Sequence, residues 1–370
     1  PSAQRREKPS RSYNIGALIA ERYLDKYDSF YWQLYQQVAT RAVAKECFTL
    51  METVSAQMEL ELEMPKLVQE QKVDGIIVIG RLFDSYLQFL REECEIPIIY
   101  LDFCDEKQDT DAVISDSYYG AYRLTNYLFD MGHTRIAYVG TLLATGSITD
   151  RYFGYSKSLV EHGQQIRQDW IIDDRDLDTG RIDTEKMIRI PEEMPTAFVC
   201  NCDLTASFLI KKLRAAGYRV PEDVSVVGYD NYLFPGLCDV AITTYEVDMK
   251  EMARRAIQNL TKKISGENYR QGICIAEGHL VIKDSVKKIE KVSVNCYSSN
   301  SKQNVAIAFT KTSDTAYDVE VTNGDNKILT GNINVDEKNK NEGTIKVNFD
   351  VQGFGKIEIS MEYSQKLNEA

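Results

Sequence analysis

The sequence predicts an α/β protein whose doubly wound parallel sheets form two similar lobes, followed by a smaller β-rich module. Three observations predict it. Short apolar runs without alternation recur between helical stretches, as expected of parallel strands covered on both faces. These runs end on polar residues, at the sheet edge where open parallel sheets bind ligands. Beyond Lys288 the text changes to half-polar, alternating runs broken by turn sequences.

The clearest unit lies between Pro195 and Asn231. An apolar strand (Ala197 to Cys200) gives way to Asn201, Cys202 and Asp203. An amphipathic helix (Leu204 to Ala216) then stops at Gly217, and a second strand (Val224 to Tyr229) ends on Asp230. In such a βαβ unit both strand ends point at one crevice, which makes Asp203 and Asp230 candidate ligand contacts. Asp203 reads equally well as the helix N-cap.

In chain order, strands are expected at Tyr13 to Ala20, Cys47 to Glu52, Val73 to Ile79, Ile96 to Asp102 and Ala112 to Ser115. Helices are expected from about Ser29 to Lys45, around Leu60 to Gln71, at Asp84 to Glu93 and at Tyr119 to Phe129. A second series opens with the strand Arg135 to Val139 and a helix from about Asp150 to His162. It runs on through the unit above to Asp230. The first lobe is expected to hold about residues 13–132 and 244–272, and the second about 133–243 and 273–288. Residues 289–370, with runs at Val305 to Phe309, Tyr317 to Val321, Ile345 to Phe349 and Lys356 to Met361, read as a small antiparallel β-sandwich.

Composition narrows the function classes. A chain of 370 residues exceeds one ordinary core, and 43% hydrophobic residues fill two or three. A net charge of −12 argues against DNA binding by the body of the protein. The locally basic start, with Arg5, Arg6, Lys8 and Arg11 in Pro1 to Ser12, reads as a linker. The eight cysteines are scattered, several on apolar strand text, which is the usage of reduced thiols in a cytoplasmic protein. No transmembrane stretch or secretory signal is read. His133, His162 and His279 have no nucleophile partner pattern, and no P-loop or G-x-S-x-G occurs, so catalysis is not expected. Cys200 and Cys202 lack a nearby histidine, so neither a metal nor a cofactor is expected.

The run Gly217-Tyr218-Arg219-Val220-Pro221-Glu222-Asp223-Val224-Ser225-Val226-Val227-Gly228-Tyr229-Asp230 resembles the signature of the LacI/GalR family of sugar-responsive repressors. Ala241 to Tyr245 and the helix Met249 to Lys263 resemble the family's return segment to the first lobe, Gly278-His279-Leu280-Val281-Ile282-Lys283-Asp284-Ser285 resembles its last strand, and the likeness covers Tyr13 to Val286. It implies a periplasmic-binding-protein-like (type I) fold, a cytoplasmic homodimer, a small carbohydrate effector, and operator binding through an N-terminal helix-turn-helix headpiece. Pro1 to Arg6 resembles the neighbourhood of the family's hinge, although no Leu precedes Leu18. A transport-type sugar-binding protein of the same fold is the alternative.

Sugar recognition uses planar polar groups that take hydroxyls in pairs, with aromatic faces against the ring. The resemblance maps Arg151, in Thr149-Asp150-Arg151-Tyr152-Phe153-Gly154-Tyr155, onto the residue that holds sugar hydroxyls, and Asp102 onto a ligand position. Phe30 and Tyr31, beside Trp32, stand where the family has aromatics, and Ser147 precedes Arg151 in the same element. Arg81, after Val78-Ile79-Gly80, is a ligand candidate or a surface residue. The family's Asn-Asp reads Cys202-Asp203 here, which removes an amide donor and acceptor and implies a different bound sugar.

Overall fold

A computed structural model describes residues 12–24, 29–105, 110–177, 182, 186–233 and 236–289, and beyond them the backbone strands of the final module. The basic linker reading falls almost wholly outside these residues. The first lobe is a parallel sheet of six strands. Five come early: β1 (Asn14–Ala20), β2 (Phe48–Val54), β3 (Gly75–Ile79), β4 (Ile98–Leu101) and β5 (Ala112–Ser115). The sixth, β11 (Ile273–Ala276), pairs in parallel with β5, giving the order β2-β1-β3-β4-β5-β11. Strands β1 and β3 are buried almost throughout, as unbroken apolar runs require.

Helix α1 (Phe30–Val43) starts where the Ser29 hydroxyl accepts the Trp32 N–H at 3.0 Å, and it buries Leu34, Val38 and Ala42, four residues apart. The single helix expected around Leu60 to Gln71 is two short ones, α2 (Ala56–Glu61) and α3 (Lys66–Gln69). Leu62 is left-handed at φ 55 and Pro65 lacks an N–H, so the first helix cannot continue. The Glu52 carboxylate then caps the second, accepting the Lys66 and Leu67 N–H groups at 2.9 Å each. Helix α4 (Asp84–Glu93) lies where the pattern places it.

Helix α5 (Ser117–Asp130) follows β5 but packs on α6 (Gly146–Glu161) and on β8 (Ala197–Cys200) of the second sheet. This corrects the expected first-lobe limit near residue 132: the chain changes lobes between Ser115 and Ser117. The second sheet has the order β7-β6-β8-β9, with β6 (Ile136–Val139), β7 (Ile171–Ile172) and β9 (Ser225–Val227) all parallel to their neighbours. Helix α7 (Asp203–Ala215) joins β8 to β9.

The chain returns through β10 (Thr244–Glu246) to α8 (Met249–Ser265), which packs on α1, β3, β4 and β5. Residues 273–276 were expected in the second lobe. They belong to the first-lobe sheet as β11, and the final crossing follows them. Strand β12 (His279–Val281) pairs antiparallel with β10. The crossings touch: the Asp116 N–H donates to Ala276 O at 3.2 Å, and a Cβ on Gly278 would lie 2.0 Å from Glu246 O, so only glycine fits there.

The final module forms two antiparallel groups. One is the meander β13 (Lys291–Ser298), β14 (Gln303–Lys311), β15 (Ala316–Asn323) and β16 (Asn326–Asn334). The other is the hairpin β17 (Thr344–Val351) and β18 (Gly355–Glu362). Strands β13 and β16 lie where no run was expected.

Candidate functional site

The strand ends of both lobes converge on the space between them. Arg151, in the second turn of α6, is 5% exposed. Its Nη1 donates to Asn201 O at 2.5 Å, its Nη2 lies 3.3 Å from Asp230 Oδ1, and its guanidinium sits 3.7 Å above the Tyr229 ring. Burial opposes the charge, but Asp230, Tyr229 and Asp102 more than offset it and hold the pKa above the ordinary arginine value. Asp230, with φ at 98, is pushed up to about 6 by burial while Arg151 pulls it down. Asp102, at the end of β4 with φ at 70, is pushed up to about 7 by burial; Arg151 and its hydrogen bond with Tyr31 pull it down, and Asp230 pushes it up. Two carboxyls from opposite lobes thus share one arginine. Asp102 Oδ1 and Arg151 Nε are buried without partners.

Tyr31 packs against Tyr23, ring centroids 4.6 Å apart, and burial pushes its hydroxyl well above the usual range. Tyr31, Arg81, Asp102 and Ser147 line one interlobe cavity with Tyr23, Ser115 and Thr145. Its volume is about 30 Å³, room for little more than a water molecule, so the lobes stand closed on each other. Ser147 Oγ lies 3.0 Å from Thr145 Oγ1, the residue that caps α6. Phe30 reaches across to Tyr232 of the second lobe, centroids 6.4 Å apart. Arg81 borders the cavity, yet its guanidinium pairs with Asp84 at 2.7 Å on the surface.

Two expectations change at the head of α7. The N-cap is Cys202, whose thiol accepts the Thr205 N–H at 3.4 Å; Asp203 is the first helical residue. Asp203 lies 2% exposed beneath the next loop, with Oδ2 accepting the Tyr232 N–H at 3.1 Å. Like Phe30, Arg151, Cys202 and Asp230, it is not among the residues lining the cavity. Burial, aided by Asp230, pushes its carboxyl well above the usual range, as for a group that fixes the loop carrying Asp230. Cys200 is simply buried core beside Phe198 and Ala206. The described cysteines form no disulfide with one another.

The sequence reading missed Asp174 and Arg175, at the end of the two-residue strand β7. Arg175 grips fully buried Asp174 in a fork, Nε to Oδ1 at 3.0 Å and Nη2 to Oδ2 at 2.8 Å, and also donates to Asn201 Oδ1 at 3.1 Å. Asp174 further accepts from the Thr141 N–H, the Asn201 amide and the Thr205 hydroxyl. Burial opposes ionisation, but Arg175 and these donors hold the carboxyl well below its usual range. The strand-end rule would have found the pair had Ile171-Ile172 been read as a strand.

The periplasmic binding protein-like domain family matches residues 125–286. The HTH-type transcriptional repressor PurR of Aliivibrio salmonicida is 26% identical over 292 residues, covering 78% of this chain and 86% of that protein. Among solved structures, the transcriptional regulator CelR–cellobiose complex superposes with a TM-score of 0.62 at 21% identity, over 74% of this chain and 84% of that one. The lac repressor dimer bound to operator and the anti-inducer ONPF gives 0.60 at 20% identity, over 75% and 96%. Residues 125–286 thus match a periplasmic binding protein-like domain, and the two-lobe body is similar in sequence to PurR repressors and in fold to solved LacI-family regulators.

Proposed function

We propose that the interlobe cleft binds a small, uncharged carbohydrate, and that this binding controls operator affinity of a homodimer through an N-terminal headpiece joined by Pro1 to Ser12. The observation that carries the reading is the pair of buried, unpartnered atoms from opposite lobes, Asp102 Oδ1 and Arg151 Nε. A sugar hydroxyl is both donor and acceptor, so it can pair with either of them. Charge favours a neutral ligand: Asp230 faces Arg151 and Asp174 faces Arg175, so both guanidiniums already have counterions. Tyr31 and Tyr23 supply aromatic surface beside the polar groups. Phe30, Cys202 and Asp203 act at the margins, by interlobe contact, capping and loop support.

A cavity this small must open to admit a ring, so binding and lobe movement are coupled through the three touching crossings. A ligand that contacts both lobes favours the closed arrangement by those contacts alone. The exposed edge strand β2, with Phe48 and Leu50, and the neighbouring Leu60 and Leu62 offer an apolar face for the second copy. A cytoplasmic setting accords with the repressor relatives. Thermal-shift screening tests the effector class, since a ligand raises apparent stability by RT ln(1 + [L]/Kd). Neutral sugars should raise Tm and their 6-phosphates should not; stabilisation by phosphates or nucleobases alone overturns the reading.

A further inference from the structure

The outer face of α6 carries an open groove of about 690 Å³ that no step above uses. Asp150, Phe153, Lys157, Val160 and Glu161 line it at helical spacing, and Tyr118 joins them from α5. Phe153, whose ring packs against Tyr152 with centroids 5.6 Å apart, is 54% exposed, and Tyr118 is 41% exposed. They are adjacent because the first turn of α5 crosses α6 at Gly154, where a Cβ would stand 2.0 Å from Tyr118 O. Asp150 lines both this groove and the interlobe cavity, so it stands at the border between them. At the far end Lys157 lies 4.2 Å over the Tyr122 ring and pairs with Glu161, which also accepts the Tyr122 hydroxyl at 2.7 Å. That end carries paired opposite charges with hydroxyl-bonding groups around them.

We propose that the groove is a second saccharide subsite: an oligosaccharide places one ring in the cleft, passes Asp150, and lays its outer rings on Phe153 and Tyr118. The inference rests on the carbohydrate reading of the cleft. From Asp150 to Glu161 the helix rises roughly 16 Å, longer than one sugar ring. Exposed aromatic faces suit the apolar side of a pyranose, while the balanced charges beyond them suit its hydroxyls and attract no anion.

Calorimetry on the whole chain tests it with glucose, galactose, mannose and xylose, each as the single sugar and as its two- to four-ring homo-oligomers. In the series that binds, affinity should rise with the second and third ring. Phe153→Ala, at an exposed helical position that tolerates alanine, should weaken the oligomer roughly three- to tenfold and leave the single sugar unchanged. Tyr118→Ala should act likewise. Equal affinity at every chain length, or a length advantage that survives both substitutions, overturns the subsite with the cleft reading intact. Loss of self-association in Phe153→Ala assigns the face to a second copy and also overturns it. Failure of every saccharide removes the cleft reading and the subsite together.

Discussion

On the second lobe's side of the cleft, Asp174, Arg175, Asn201, Thr205 and Thr141 satisfy one another in a closed network, whereas on the first lobe's side Asp102 keeps a buried oxygen without a partner. This network is thus organised before any ligand arrives, and its geometry belongs to the fold, although Arg151 Nε and Asp203 Oδ1 elsewhere in the second lobe are buried without partners. The first lobe holds a carboxyl that burial has driven to about 7, a group whose hydrogen bonding a ligand can complete. Such an asymmetry suits a sensor: one rigid face sets orientation, and the other gains its last contact on closure.

The sharpest way to break this contrast is Asp174→Ala. It leaves Arg175 buried without its counterion and three donors without their acceptor, so unfolding free energy should fall by about 3–5 kcal/mol. Urea denaturation measures it; a loss below about 1 kcal/mol would show that the network does not hold the second lobe together.

Next comes Arg151→Ala, which removes the one group that serves both carboxyls. Effector affinity should fall by about 1.5–3 kcal/mol, the value of hydrogen bonds to a charged group, with the second lobe still folded. Calorimetry against the sugar found in the screen reads this directly, and wild-type affinity would remove Arg151 from the site.

The same asymmetry marks what the sequence could disclose. Asp102 and Asp230 were legible because they stand at the ends of apolar runs, a local signal, whereas Arg151 was singled out by the likeness of its segment to the family's element. Asp174 and Arg175 were not, because β7 is two residues long and draws its stability from pairing with β6 rather than from its own pattern. Strand β11 escaped for a related reason: Ile273 and Ile275 are each 50% exposed at a sheet edge, so the text lacks a buried run. The lobe of α5 is a tertiary fact, since nothing between Ser115 and Ser117 announces a crossing. Asp203 misled because Asp is the commoner cap, while here the Cys202 thiol does that work.

A third test uses pH. In the folded protein Asp102 and Asp230 keep their protons up to about 7 and about 6, while the unfolded chain loses them near 3.9. The folded state therefore binds more protons across that window, and these two groups make stability decrease as pH rises from about 4 to about 7. Asp102→Asn should flatten the upper part of that slope and leave the part due to Asp230. Denaturation midpoints at half-unit pH steps check it, and an unchanged slope would show that Asp102 is not the perturbed carboxyl.

The smallest effect separates the two readings of Arg81. Its guanidinium already pairs with Asp84 three residues on, at 32% and 61% side-chain exposure, and such surface pairs contribute about 0.2–1 kcal/mol. What Arg81 gives the site is its main chain: Arg81 O accepts Arg22 Nη2 and the Tyr23 hydroxyl, both at 2.8 Å, which holds Tyr23 against Tyr31. Truncation to Ala keeps that carbonyl. Arg81→Ala should therefore change stability by less than about 1 kcal/mol and leave effector affinity within about twofold, in contrast to Arg151→Ala. A tenfold loss of affinity instead would mean that the guanidinium leaves Asp84 and turns into the cleft when ligand binds, giving the first lobe a charged contact of its own and narrowing the difference between the two faces.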